Sequence, residues 1–120
     1  ENSEGGEILV PKIPSYRLID LAEAIGPNCE QKVIGTRPGE KIHEEMISAN
    51  ESVSTVDLGN IYAILPSPDW FDADTYQRKY SATPLPANFS YNSETNPKKI
   101  GVGELRKLIL EHIDPRFEPI

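Results

Sequence analysis

Arginine is well suited to gripping a phosphate group, because its planar guanidinium presents paired N–H donors that match phosphate oxygens. Arg37 opens the run Arg37-Pro38-Gly39-Glu40, in which Pro-Gly makes a turn and a carboxylate follows the cation by three positions. The chemistry open to such a turn is recognition: a cation for an anion, and an acid that accepts from hydroxyl groups. Gln31–Ile34 reads as a short strand ahead of the turn and Lys41–Ser48 as a helix behind it. The turn is therefore expected at a strand-to-helix junction, where unpaired N–H groups of the helix start would add partial positive charge. On spacing alone, an exposed surface turn is the better explanation of the same residues, because a lone Arg before Pro-Gly is common turn chemistry.

Other chemistry fails on spacing. His43-Glu44-Glu45-Met46-Ile47 approaches the two-histidine zinc pattern, but the second ligand position holds Ile47, so no metal site is expected and His43 reads as a surface or hydrogen-bonded helical residue. The eight glycines form no G-x-G-x-x-G turn and no P-loop, and no G-x-S-x-G elbow occurs. Tyr76 is followed by Lys79, one position short of the Tyr/Lys couple of short-chain dehydrogenases. Glu44-Glu45 and Asp72/Asp74 lie in charged segments with nothing to raise a carboxyl pKa for proton transfer. Cys29, the single cysteine, excludes an internal disulfide and lacks a cationic setting that would activate it. No residue of the chain is expected to be catalytic.

The chain has 120 residues, enough for one domain with a modest core. Twelve Lys and Arg against 19 Asp and Glu give a net charge of -7, which argues against a nucleic-acid or membrane-surface binder. No apolar run nears the roughly 20 residues of a membrane span, and Glu1-Asn2-Ser3-Glu4-Gly5-Gly6 lacks the features of a signal peptide. The expectation is a soluble, cytoplasmic chain, whole or cut from a longer one. Asn50-Glu51-Ser52 and Asn88-Phe89-Ser90 match the glycosylation sequon and, without a secretion signal, read as chance.

The elements that would position the turn follow from punctuation and periodicity. Glu7–Val10 is a β-prone run ended by Pro11-Lys12-Ile13-Pro14, and Ser15 is placed to cap a helix over Tyr16–Ile25 with Leu18, Leu21, Ala22 and Ile25 on one face. Gly26-Pro27 stops it. Ile42, Met46 and Ile47 would turn the second helix toward a core. Val53–Leu58 and Ile61–Leu65 read as a hairpin about Gly59-Asn60, with Pro66-Ser67-Pro68 ending the second strand. A short helix is expected within Asp69–Tyr80, with Trp70, Phe71, Tyr76 and Tyr80 as aromatic anchors. Ser81–Pro97 reads as a long functional, interfacial or mobile loop. Gly103–Ile113 reads as an amphipathic helix capped by Gly101, with Glu104 favouring its start.

Several blocks carry a family resemblance: Gly6-Glu7-Ile8-Leu9-Val10-Pro11-Lys12-Ile13-Pro14-Ser15, the helix Ile19–Ile25, Gly35-Thr36-Arg37-Pro38-Gly39-Glu40-Lys41 continuing to Ser48, Phe89–Ser93 and Gly103-Glu104-Leu105-Arg106. Together they resemble the C-terminal part of inverting UDP-N-acetylglucosamine 4,6-dehydratases, extended short-chain dehydrogenase/reductases of bacterial surface-glycan synthesis. The resemblance covers nearly the whole chain in order. It implies an α+β fold: a small substrate-binding subdomain of amphipathic helices and short strands, the C-terminal part of a parent Rossmann-type α/β enzyme. The NADP-binding Rossmann domain, with its catalytic Tyr, Lys and acid, has no counterpart in these residues.

For the intact enzyme the resemblance implies hydride removal from the sugar C4 by NADP, loss of water across C5 and C6, hydride return to C6, and inversion at C5. It assigns Arg37 to the pyrophosphate of a UDP-sugar and Glu40 to the ribose; Lys12, Tyr91 and Asn92 fall in matching segments without an assigned role. Gly101 stands where the family commonly has a Ser cap, a loss of only a few tenths of a kcal/mol. The implied partners are the UDP-sugar, the Rossmann domain and, through the exposed faces Leu18/Leu21/Ile25 or Leu105/Leu108/Ile109, further copies of the chain. A related epimerase or retaining dehydratase, or a non-enzymatic interaction module, are the alternative readings.

Overall fold

A computed structural model describes residues 4–67 and 69–120. Glu1–Ser3 and Pro68, which enter the readings of the N-terminus and of the strand end, lie outside the described residues. Helices and short strands mix as the α+β expectation has it, and every strand pairing in the two sheets is antiparallel. The chain gathers into two compact units, one from the residues up to Ile13 with Glu44–Thr95, the other from Pro14–His43 with Asn96–Ile120.

The first unit is built on β1 (Ile8–Pro11), β3 (Thr55–Asp57), β4 (Ile61–Ile64) and β5 (Thr83–Pro84), in the order β1-β4-β3-β5. Alternation along β4 explains its central place. Ala63 points into a cluster with Val56, Leu65 and Tyr76, while Tyr62 and Ile64 pack on Val10, Ile47 and Tyr91. Both faces of the strand are covered, as its apolar sequence predicts. The expected hairpin is present, although Val53 and Ser54 fall in a 3-10 turn (Glu51–Ser54) instead of the strand. Gly59 in its loop has φ +91°, a conformation that favours glycine.

Lys12 ties this sheet together. Its ammonium donates to both carboxylate oxygens of Asp57 at 2.6 and 2.8 Å and to the Gly59 carbonyl at 2.8 Å, and lies 4.3 Å from the Tyr62 ring centroid. Asp57 in turn accepts from the Gly59 N–H at 2.7 Å, closing the loop. Helix α2 (Ala73–Tyr80) is capped by Asp72, which accepts from the Thr75 N–H, and Phe71, Tyr76 and Tyr80 pack as expected. Trp70 departs from that expectation: it is 69% exposed and meets Phe71 edge-on.

A second, two-stranded sheet pairs β2 (Glu45–Ile47) with β6 (Tyr91–Asn92), with a shift in register between Glu45 and Ile47. This overturns the helix expected over Lys41–Ser48. A helical stripe needs Ile42 and Met46 on a core, yet they are 78% and 42% exposed, whereas the strand buries Ile47 completely. The Ser93 N–H donates to the Glu44 carbonyl at 2.8 Å, and the Glu44 N–H to the Ser93 hydroxyl at 3.0 Å. A partner strand from far along the chain thus outweighs local helix propensity. Ser81–Pro97 is consequently not one long loop, since it contains β5 and β6. Tyr91 is buried and its hydroxyl donates to the Ile13 carbonyl at 2.7 Å, while Asn92 accepts from the Glu94 and Thr95 N–H groups.

The second unit packs α1 (Leu18–Ile25) on α3 (Val102–His112). Arg106 of α3 donates to the carbonyls of Ala24 and Glu23 at 3.0 and 3.1 Å, satisfying the last turn of α1 where a cation is also favoured by the helix dipole. Gly26 ends α1, and the Gly101 N–H donates to the Glu104 carboxylate at 3.3 Å at the start of α3, as predicted. Ser15 is not the cap of α1. Its backbone pairs with Lys98 and Ile100 and its hydroxyl accepts from Asn96, so the helix begins later, after Arg17. Within the two helices the buried positions are Ala24 and Leu105, and the predicted apolar face of α1 is left open, with Leu18 78% exposed.

Candidate functional site

Residues 30–41, within the second unit, hold no regular element except the turn at Pro38-Gly39. The strand expected over Gln31–Ile34 is absent; these residues are exposed, Val33 at 90%, and find no strand to pair with. With neither that strand nor the helix after it, the turn does not sit at a helix start. No helix dipole therefore adds to anion binding here, and the cation the turn itself carries is Arg37.

Local chemistry sets the turn. Pro38 fixes φ at the first corner, Gly39 takes φ +86° at the second, and the Glu40 N–H donates to the Arg37 carbonyl at 3.0 Å. The Glu40 carboxylate folds back and accepts from the Arg37 backbone N–H at 2.7 Å. Its other oxygen lies 3.7 Å from the Arg37 guanidinium, and the two side chains are 78% and 49% exposed. The two residues singled out from sequence are thus brought together, with the guanidinium facing solvent beside a loose ion pair. Exposed pairs of this kind are worth little, so an incoming anion has little to displace.

Beside the turn, Leu18, Ile19, Ala22, Val33, Ile34 and Thr36 line an apolar groove of about 660 Å³. Its lining suits a base, a ring face or another protein surface better than a phosphate. Sequence reasoning missed this groove because its walls come from the exposed side of α1 and from a segment assigned to a strand. His43 lies exposed in coil, not on a helix, and among the described residues no group of His, Cys, Asp and Glu could hold a metal ion. Nor, among the described residues, is any helix long and apolar enough to cross a membrane.

Comparison with known proteins gives this geometry a context. The chain is 42% identical over 116 residues to the UDP-N-acetylglucosamine 4,6-dehydratase (inverting) of Campylobacter jejuni subsp. jejuni serotype O:2, covering 91% of this chain and 34% of that protein. It is 32% identical to the UDP-glucose 4-epimerase of Rickettsia felis, over 92% of this chain and 33% of the relative. The X-ray structure of Pen from Bacillus thuringiensis superposes with a TM-score of 0.66 at 32% identity, covering 91% of this chain and 31% of that one. The chain therefore spans about a third of the length of these relatives. The family model described as polysaccharide biosynthesis protein matches residues 1–66, more than half of the 120 residues, and the chain belongs to that family.

Proposed function

We propose that this chain is the nucleotide-sugar-holding part of a C5-inverting UDP-N-acetylglucosamine 4,6-dehydratase of bacterial surface-glycan synthesis, working in the cytoplasm. Identity of 42% along 91% of the chain to such a dehydratase carries the reading. Within it, Arg37 takes the diphosphate of the UDP-sugar and Glu40 accepts from the ribose hydroxyls. The 78% exposure of Arg37 and its loose 3.7 Å pairing support a cation held ready for a ligand.

NADP, which the family uses for the redox steps, does not fit the residues present. Among the described residues both sheets are antiparallel, no glycine-rich turn joins a strand to a helix, and Arg17 at the start of α1 makes no side-chain cap. Cofactor and catalytic groups are thus assigned to the Rossmann portion of the parent enzyme, and the present residues bind and orient substrate. The apolar groove along α1 is the surface that portion would cover, and copies of the chain alone are expected to associate through it.

Titration of the chain with UDP tests the site. Arg37→Ala should weaken binding about tenfold, the worth of a hydrogen-bonded charge pair, with the fold unchanged; equal affinity would overturn the assignment. The 32% identity to a UDP-glucose 4-epimerase favours one second reading, in which the same turn serves an epimerase. Product analysis after joining the chain to the catalytic portion separates them, because only the dehydratase yields a 4-keto-6-deoxy sugar.

A further inference from the structure

Glu40 makes two contacts of unequal strength with Arg37. One carboxylate oxygen accepts from the Arg37 backbone N–H at 2.7 Å, while the other stands 3.7 Å from the guanidinium. The first is a short charge-assisted hydrogen bond that closes the turn from the side-chain side, as the Glu40 N–H to Arg37 carbonyl bond at 3.0 Å closes it along the backbone. The second is an exposed ion pair of little worth.

We infer that Glu40 is a positioning residue for anion binding: its carboxylate fixes the backbone of Arg37, and so the direction of the guanidinium, while holding the guanidinium itself weakly enough for a diphosphate to replace it. The inference rests on the reading of Arg37 as the diphosphate ligand, and it adds a function for Glu40 that needs no ribose. With the turn closed before the ligand arrives, less conformational freedom is lost on binding.

Charge and positioning pull in opposite directions here, which makes the two separable. A carboxylate beside an anion site repels the anion, so removal of its charge alone strengthens binding. Glu40→Gln and Glu40→Ala both remove the charge, but only Gln keeps an acceptor of the right length for the Arg37 N–H. Inorganic pyrophosphate is the probe, because without ribose it reports the diphosphate end only.

Affinities of the chain, Glu40→Gln, Glu40→Ala and Arg37→Ala are to be measured by NMR titration, together with hydrogen exchange at the Arg37 amide. The expected order has Glu40→Gln binding pyrophosphate at least as tightly as the parent and Glu40→Ala about fivefold more weakly than Glu40→Gln, in line with one lost hydrogen bond. Exchange at Arg37 should be slower in the Gln form than in the Ala form. Equal affinity or equal exchange in the two variants overturns the positioning role and leaves Arg37 as a ligand. Parent-like binding by Arg37→Ala removes the anion site itself, and the inference with it.

Discussion

Lys12 and Arg37 each meet a carboxylate, yet they are held very differently. The Lys12 ammonium has an acceptor for each of its three protons, at 2.6, 2.8 and 2.8 Å, lies near an aromatic face and is only 27% exposed. Arg37 has one carboxylate at 3.7 Å and is 78% exposed. A cation whose donors are all occupied holds two parts of the chain together and has nothing left for a ligand. A cation on a closed turn with free donors contributes little to folding and is available for recognition. The same contrast divides their surroundings, since Lys12 directly follows β1 beside β4, a strand covered on both faces, and Arg37 lies in a segment without regular structure.

The sharpest way to test that division is to attack the packed unit. Tyr76 is fully buried between Phe71 and Tyr80 against the sheet. Tyr76→Ala should cost about 3 kcal/mol or more in a denaturant melt, whereas Arg37→Ala should leave the melt unchanged. Next in size is Lys12→Met, which strands Asp57 and frees the Gly59 carbonyl. Partial exposure tempers that loss to about 1–2 kcal/mol, and UDP affinity should stay at the parent value. A ligand defect in Lys12→Met with the melt intact would reverse the roles given to the two cations.

Acid should reveal a smaller effect in the same packed unit. Hydrogen bonds from the Thr75 side chain and backbone hold the Asp72 carboxyl below its usual range, and the Ser48 hydroxyl and N–H do the same for Glu51. A carboxyl with a lowered folded pKa adds stability that is complete above the ordinary range, about pH 4, and is lost as pH falls through the lowered value. The melting temperature should therefore drop on acidification, and less so in Asp72→Asn, which keeps a capping oxygen but does not titrate. An identical acid response in Asp72→Asn would show that the cap contributes nothing to the pH dependence.

What could be read from the sequence was local. Gly26 after α1, Gly101 and Glu104 at α3, and Pro38-Gly39 at the turn each act within a few residues, and each stands where its chemistry predicts. The misses at Lys41–Ser48, Lys12 and Ser15 involve partners far along the chain, and Gln31–Ile34 fails as a strand for want of one. Glu44 and Ser93 are 49 positions apart and Lys12 and Asp57 are 45 apart, so nothing near Lys41–Ser48 announces a strand and nothing near Lys12 announces its clasp. Ser15 is a good cap by type, but Lys98 and Ile100 claim its backbone first. The position of Arg37 and Glu40 followed from turn chemistry, while their proposed ligands came from resemblance, which residue spacing could not supply.

The central claim is that the Arg37 turn holds the diphosphate of a UDP-sugar, and a chemical-shift map of the chain titrated with UDP tests it most directly. The account predicts that the largest shifts cluster from Gly35 to Lys41, include the Arg37 side-chain N–H, and vanish in Arg37→Ala. Saturable shifts centred elsewhere, or an unchanged map in Arg37→Ala, would contradict it.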